Sequence, residues 1–510
     1  MCQNNKITVL WMVIALLLWA TGCKKDNIVI VDQITTYDDL NDEISNTTFA
    51  QTVYVVFSPN GNATVTGTND DFAVITNNND VTIVYSGEDH IMYELSGTTT
   101  DGFFKLYSHK KQGITLNGVS ISNPNGAAVN VQGPTEAPNK GKHTFIVLSG
   151  NNSLADGASY TDTPSNEDEK AVLFGEGQFV FSGTGSLTVT ALGKSGIVSD
   201  DYLHFMDGTI SVNATASVMV NGNDTLKPAC VKSNDYIKVT GGTLNLTSSG
   251  WGSKGISCDG YGMFKGGTVR VTVTGSNFGS SGGGGGPGGG NPGQGHNAGV
   301  KAKGIKFGGN LAFTGGTVIV NVTSHEGIES KGTITISGGE VYSYSQVEDG
   351  INSKDDFIIS GGYVYGHSSS NDGLDANGNF FISGGVIYAI GGGLPEIAID
   401  ANTEEMKQLH FSGGTLIAIG GLEIGSALTQ SCYSTSSWLP NTWYALTVGS
   451  MTYAFKSPAS GGTPLVVSGA TAPTLISGVT VSGGTSHFEE LLLEGAEVSG
   501  GTSVSLGVYL

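Results

Sequence analysis

The chain repeats on a Gly-Gly pair. Thr333-Ile-Thr-Ile-Ser-Gly-Gly-Glu-Val-Tyr342 is followed by Phe357-Ile-Ile-Ser-Gly-Gly-Tyr-Val-Tyr365, then by Phe380-Phe-Ile-Ser-Gly-Gly-Val-Ile-Tyr388 and Leu409-His-Phe-Ser-Gly-Gly-Thr-Leu-Ile417. Gly338, Gly361 and Gly384 stand 23 residues apart, and the pairs at Gly241, Gly266 and Gly315 carry the pattern upstream. A second marker keeps step at Gly196-Ile197, Gly255-Ile256, Gly304-Ile305, Gly327-Ile328, Gly350-Ile351 and Gly373-Leu374. A period of roughly 20 to 50 residues belongs to solenoids and propellers. Each repeat has short period-two strands between Gly corners, too little chain for a four-stranded blade. The expectation is an all-β, right-handed parallel β-helix with terminal caps, in which stacked strands lie about 4.8 Å apart.

Alternation then assigns faces. Ile334, Ile336, Phe357, Ile359, Phe380 and Ile382 point inward before the corner; Val341, Val364, Ile387 and Leu416 point inward after it. Ile328, Ile351, Leu374 and Ile399 form another inner column, which Cys230 joins, with Cys258 close by; both are read as core thiols. Gly is 79 of 510 residues and charged residues only 13%, and the only helical signal is a turn at Thr403 to Gln408.

The boundaries follow. Residues 1–22 read as a lipoprotein signal: Ile7 to Ala20 is apolar but shorter than the roughly 20 residues a membrane span needs. Ala20-Thr21-Gly22-Cys23 then looks like a lipobox. Lipid on Cys23 would tether an otherwise water-facing chain to a membrane, and Lys24-Lys25-Asp26 resembles a surface-export tag, so the expectation is the outer membrane or cell surface. Residues 23–50 are a tether and N-terminal cap, 51–425 the β-helix, 279–299 a Gly-rich surface loop, and 426–510 a C-terminal β cap. With Cys230, Cys258 and Cys432 remaining, no disulfide scaffold is expected. The formal charge of −21 argues against nucleic acid as a partner. The chain is expected to act as a monomer.

In register, equivalent positions become columns. Lys254, Lys303, Glu326, Asp349 and Asp372 stand two places before the inner column; Lys306, Glu329, Asn352, Asp375 and Asp400 stand one place after it. Between Glu326 and Glu405 there are 13 acids and two lysines, whereas Lys170 to Lys306 holds 11 basic residues and seven acids. Like charges on neighbouring strands repel, and a hard cation with oxygen ligands at about 2.4 Å offsets this. Glu326, Glu329, Glu348, Asp349, Asp372, Asp375 and Asp400, with the Asn352 carbonyl, are the expected Ca²⁺ ligands. The alternative is a solvated acidic face in which Lys303 pairs with Glu326. An outward column, Tyr342, Tyr365 and Tyr388 with His367 nearby, would offer ring faces to sugars, unless a terminal segment covers it. A lyase would need a base beside the cation, for which Lys331 and Lys354 are placed. More often a lysine so placed is simply a charge partner, here for Asp355, Asp356 or Glu329.

Glu326-Gly-Ile-Glu329 and Glu348-Asp-Gly-Ile-Asn352, with the Ser-Gly-Gly corners, resemble the bacterial β-helical carbohydrate-binding proteins, over roughly Lys170 to Gly425. That resemblance implies a fold similar to calcium-dependent pectate lyases, calcium at the acidic positions, and binding of cellulose or acidic plant sugars without cleavage. Glu348 stands where Asp is typical, and Gly373-Leu374 replaces Gly-Ile. The function expected is a surface lipoprotein that binds polysaccharide; the alternatives are a calcium-dependent lyase on uronate polymers and a structural adhesin.

Overall fold

The computed structural model describes residues 40–509 apart from 138–139, 162, 165, 222–223 and 280–298. The expected signal segment at residues 1–22, Cys23 and nearly all of the 279–299 stretch lie outside the described residues. The chain divides into two units, Met1–Thr47 and Thr48–Leu510. The described part of the first is a helical turn at residues 40–42 and a 3-10 turn at Ile44–Asn46, where Asn46 Nδ2 donates to the Leu40 carbonyl at 2.9 Å.

The second unit is built on its repeat. One wall is a 13-stranded sheet that opens with the antiparallel pair Phe72–Asn77 and Asp80–Tyr85 and continues in parallel through Lys254–Cys258, Ile305–Phe307, Ile328–Ser330, Ile351–Ser353 and Leu374–Ala376 to Ile399–Ala401. Ile305, Ile328, Ile351, Leu374 and Ile399 pair in direct register. Each is completely buried, as are Ile334, Phe357, Phe380 and Val364, which face them from the other wall. Cys230 and Cys258 are buried thiols in this core.

That other wall is a 25-stranded sheet. Leu311–Val322 and Ile334–Ser345 each run 12 residues straight through the Gly-Gly corner. The second glycine makes this feasible: Gly339 sits at φ +77, and a Cβ there would approach the Gly316 carbonyl oxygen to 2.6 Å. Glycine alone meets both demands without strain.

The all-β class is observed, but the β-helix solenoid expected from the repeat is corrected. Strands on the two sides of a corner merge into one ladder, so the chain forms a closed parallel β structure to which antiparallel sheets are added. The physical reason lies in those glycines, which bend the backbone so that pairing resumes beyond a shift in register. Period and inward pattern specify which strands stack. They do not specify how many sheets result.

The C-terminal residues form a six-stranded antiparallel sheet that includes Trp443–Val448, Met451–Lys456 and Leu492–Glu494. A further strand, Leu465–Ser468, pairs antiparallel with Leu416 to Ile419, where the parallel ladder ends. The helical signal at Thr403 to Gln408 is a 3-10 turn, Thr403–Glu405, capped by the Asn402 side chain. Among the described residues no helix is long and apolar enough to cross a membrane.

Candidate functional site

The outward side of the 13-stranded sheet collects the acids. Glu329, Asn352, Asp375 and Asp400 occupy one register position on four neighbouring strands. The corner just before them brings in Asp349 and Asp372, joined by the Gly350 N–H to the Asp372 carbonyl at 3.0 Å. Asp372, Asp375 and Asp400 converge: carboxylate oxygens from all three lie within 4.8 Å of one another. They line a cavity of about 230 Å³ together with Asp349, Asn371, Asn377, Asn402 and Glu404.

Hydrogen bonds hold the carboxylates in place. The Ile397 N–H donates to Asp372 Oδ1 at 2.6 Å, Asn377 Nδ2 to Asp375 Oδ2 at 3.1 Å, and Asn352 Nδ2 to Asp349 Oδ2 at 3.0 Å. Asn352 Nδ2 also donates to Asp375. The other atom of that amide, Oδ1, is buried without a hydrogen-bond partner, and Asn352 as a whole is 4% exposed. An unsatisfied buried carbonyl is costly and asks for a reason.

Burial and mutual repulsion raise the acids. Burial, then Asp375 and Asp372, push Asp349 up to about 8. Burial dominates for Asp372, lifted to about 7, and for Asp375, lifted to about 6. Asp400 is raised by burial and by the Glu423 carboxyl beside it. These groups are held close at an energetic cost that a cation or protons would relieve.

Glu326 and Glu329 belong to a different arrangement. Lys303 Nζ lies 3.0 Å from Glu326 and 2.6 Å from Glu329, and Lys331 also reaches Glu329. Burial opposes ionisation of Glu329, yet the two lysines hold it below the ordinary carboxylate range. Burial and Lys303 push His325, which touches Glu326, down to about 3. Glu348 is half-buried and accepts from Asn371 Nδ2 at 3.4 Å. The structure therefore gathers Asp349, Asn352, Asp372, Asp375 and Asp400 and leaves Glu326 and Glu329 to lysine. Lys354 donates to Asn377 Oδ1 at 2.6 Å.

The tyrosine column faces no solvent. Tyr342, Tyr365 and Tyr388 are 9%, 3% and 0% exposed. Tyr342 and Tyr365 stack at 4.6 Å, and Tyr365 meets Tyr388 edge-on at 5.3 Å. The C-terminal sheet covers them: Phe488 packs 5.5 Å from Tyr365, Phe455 packs 5.5 Å from Tyr388, and the Tyr388 hydroxyl donates to the Lys456 carbonyl at 2.8 Å. His367 accepts or donates at the Tyr365 hydroxyl, 3.0 Å away, and burial pushes it down to about 4. The expectation that Tyr342, Tyr365 and Tyr388 meet sugar is thus corrected, because aromatic side chains of the C-terminal residues occupy their outer side; His367 is half-buried beside Tyr365.

Sequence reasoning missed Asn377, Asn402, Glu404 and Glu423. A signal for two of them was present: Asp375-Ala-Asn377 recurs as Asp400-Ala-Asn402 on the next strand. Glu404 arrives with the 3-10 turn, outside the repeat.

One solved structure similar to this chain is that of a polysaccharide lyase-like protein from C. thermocellum, a gadolinium derivative. The identity is 18%, the TM-score 0.36, and the match covers 61% of this chain and 100% of that one. No curated protein matches the chain. A family model described as carbohydrate-binding domain-containing protein matches residues 77–229 and 229–346, just over half of the chain. The chain therefore belongs to the family of carbohydrate-binding domain-containing proteins.

Proposed function

We propose that this protein binds a polysaccharide of plant type or acidic character along the outward face of the 13-stranded sheet, with Ca²⁺ held in the acidic cavity, and does so without cleaving it. The observation that carries the proposal is the convergence of Asp372, Asp375 and Asp400 at an open cavity in a chain of a carbohydrate-binding family. The donor set fits a hard cation: carboxyl groups whose values are raised by burial and then by one another, and the unpartnered Asn352 Oδ1 as a neutral oxygen. Calcium accepts six to eight such oxygens at about 2.3–2.6 Å, so sugar hydroxyls or carboxylates could complete its shell. Asp372, Asp375 and Asp400 would hold the ion, Asp349 and Asn352 would support them, and the ion would supply the positive charge that an acidic surface lacks.

The test is a glycan array probed with and without chelator, on the parent and on Asp372→Asn/Asp375→Asn. Calcium-dependent binding lost in the variant supports the reading; binding unchanged in both arms defeats it. Incubation with polygalacturonate and calcium should release no ultraviolet-absorbing unsaturated product. We further propose that Cys23 carries lipid and tethers the protein at the cell surface. Fatty-acid labelling that survives Cys23→Ala would rule this out.

A further inference from the structure

The same sheet face carries a second region of opposite charge. Lys232, Ser257 and Lys306 stand in register on three neighbouring strands, each roughly 4.8 Å from the next. Lys254 and Lys303 enter from the preceding corner, where the Gly255 N–H donates to the Lys303 carbonyl at 3.2 Å. Lys303 is taken up by Glu326 and Glu329. Lys254 is not: its ammonium donates to the Gly252 carbonyl at 3.4 Å. Among the described residues no carboxylate pairs with Lys232, Lys254 or Lys306.

Lys254 is only 6% exposed. Burial, then Lys306, Lys303, Lys227 and Lys232, push its ammonium down to about 7. A buried cation among like charges and without an acid is costly, and an anion seated beside it removes that cost. Three residues earlier, Trp251 is 60% exposed. Its backbone is fixed all the same: its N–H donates to Ser217 Oγ at 3.0 Å, and its carbonyl accepts from Val218 at 2.8 Å. An exposed indole on an anchored backbone offers a flat apolar surface to a sugar ring.

We propose that Trp251, Lys254 and Lys306 form an anion subsite that takes the carboxylate or sulfate ester of a sugar residue directly, with no bridging cation. This rests on the polysaccharide-binding reading and adds to it a second site on the same face, one that meets the oxyanion of an acidic sugar without calcium. The acidic cavity and the lysine subsite are then two stations on one face, the first reaching an acidic glycan through Ca²⁺ and the second through ammonium groups. The Lys303–Glu326–Glu329 pairs separate them.

The experiment measures binding of polygalacturonate, dextran sulfate and unsubstituted dextran to the purified protein in chelator and, separately, in calcium. Lys254→Met, Lys306→Gln and Trp251→Ala are compared with the parent, each checked for an unchanged melt. Lys306 is half-buried, so its variant reports even if Lys254→Met fails to fold. At least one anionic polymer should bind in chelator, weaken with added salt, and bind about tenfold more weakly to each lysine variant, the loss of one charge-assisted contact. Which polymer binds identifies carboxylate or sulfate as the anion, and plain dextran should not be retained. Binding that appears only with calcium, or that the lysine variants leave unchanged, overturns the subsite while the polysaccharide reading stands. No binding of any polymer in either condition overturns the subsite and, with it, the acidic-glycan form of the polysaccharide reading.

Discussion

Two columns of side chains repeat at the same 23-residue step and end in opposite surroundings. Tyr342 and Tyr365 lie directly opposite each other on paired strands, as do Asn352 and Asp375. Both columns point away from the central core. The tyrosines are nonetheless closed under Phe455 and Phe488, whereas the acids line an open cavity. The difference lies in what the C-terminal residues can cover. Aromatic rings gain when an apolar sheet removes them from water; carboxylates would lose hydration with nothing to replace it. A repeated outward column is therefore a site only when its chemistry resists being covered.

The largest expected effect tests the covered column. Tyr388→Ala removes a fully buried ring and its hydrogen bond, and should cost about 3–5 kcal/mol in urea unfolding. Glycan affinity of the molecules that remain folded should not change. A cost below about 1 kcal/mol would mean that the C-terminal sheet leaves the tyrosines open in solution, and the contrast would collapse.

Calcium tests the open column. At a concentration of about 100 times its Kd the ion should stabilise the protein by about 2.7 kcal/mol, seen as a raised melting temperature. In Asp372→Asn/Asp375→Asn the rise should vanish. A rise of the same size in that variant would place the ion elsewhere.

The acids also set a pH dependence, whose sign follows from their raised values. A carboxyl raised by folding favours the folded state most while both states are protonated, below an unfolded value of about 4. In chelator, the contribution of Asp372 and Asp349 should thus be lost as the pH rises through about 7 and about 8. Asp349→Asn should recover of the order of 2 kcal/mol at pH 9, and chemical denaturation at pH 5 and pH 9 gives the comparison. Stability that rises over this interval in chelator would contradict the burial and repulsion on which the cavity reading depends.

The smallest effect concerns the boundary between the two halves of the face. Lys331→Ala should cost about 0.5 kcal/mol or less, because its ammonium is largely solvated and Lys303 still neutralises Glu329. A much larger loss would show that Lys331, and not Lys303, balances the buried Glu329.

Much of this was legible in the residues. The step between Ile305, Ile328, Ile351 and Leu374, their burial, the inward and outward parity, and the gathering of Asp349, Asn352, Asp372, Asp375 and Asp400 all follow from period two within strands and the 23-residue step between them. These are local rules: a parallel pair in register aligns equivalent positions whatever lies around it. The lysine pairing of Glu326 and Glu329 was also present in the sequence as an alternative, because Lys303 occupies the same column one strand earlier.

Tertiary structure decided the rest. It joined strands across Gly316 and Gly339 into one ladder with a register shift at the corner, so the sheet count departed from the solenoid read from the repeat. It also laid residues far along the chain, Phe455 and Phe488, over Tyr365 and Tyr388, which no periodicity within the repeat encodes. It brought Glu404 and Glu423 to Asp400 from outside the pattern. A repeat in sequence determines the neighbours one step away. Solvent exposure is set by every segment that can reach a surface, so it becomes known only when the whole chain is folded.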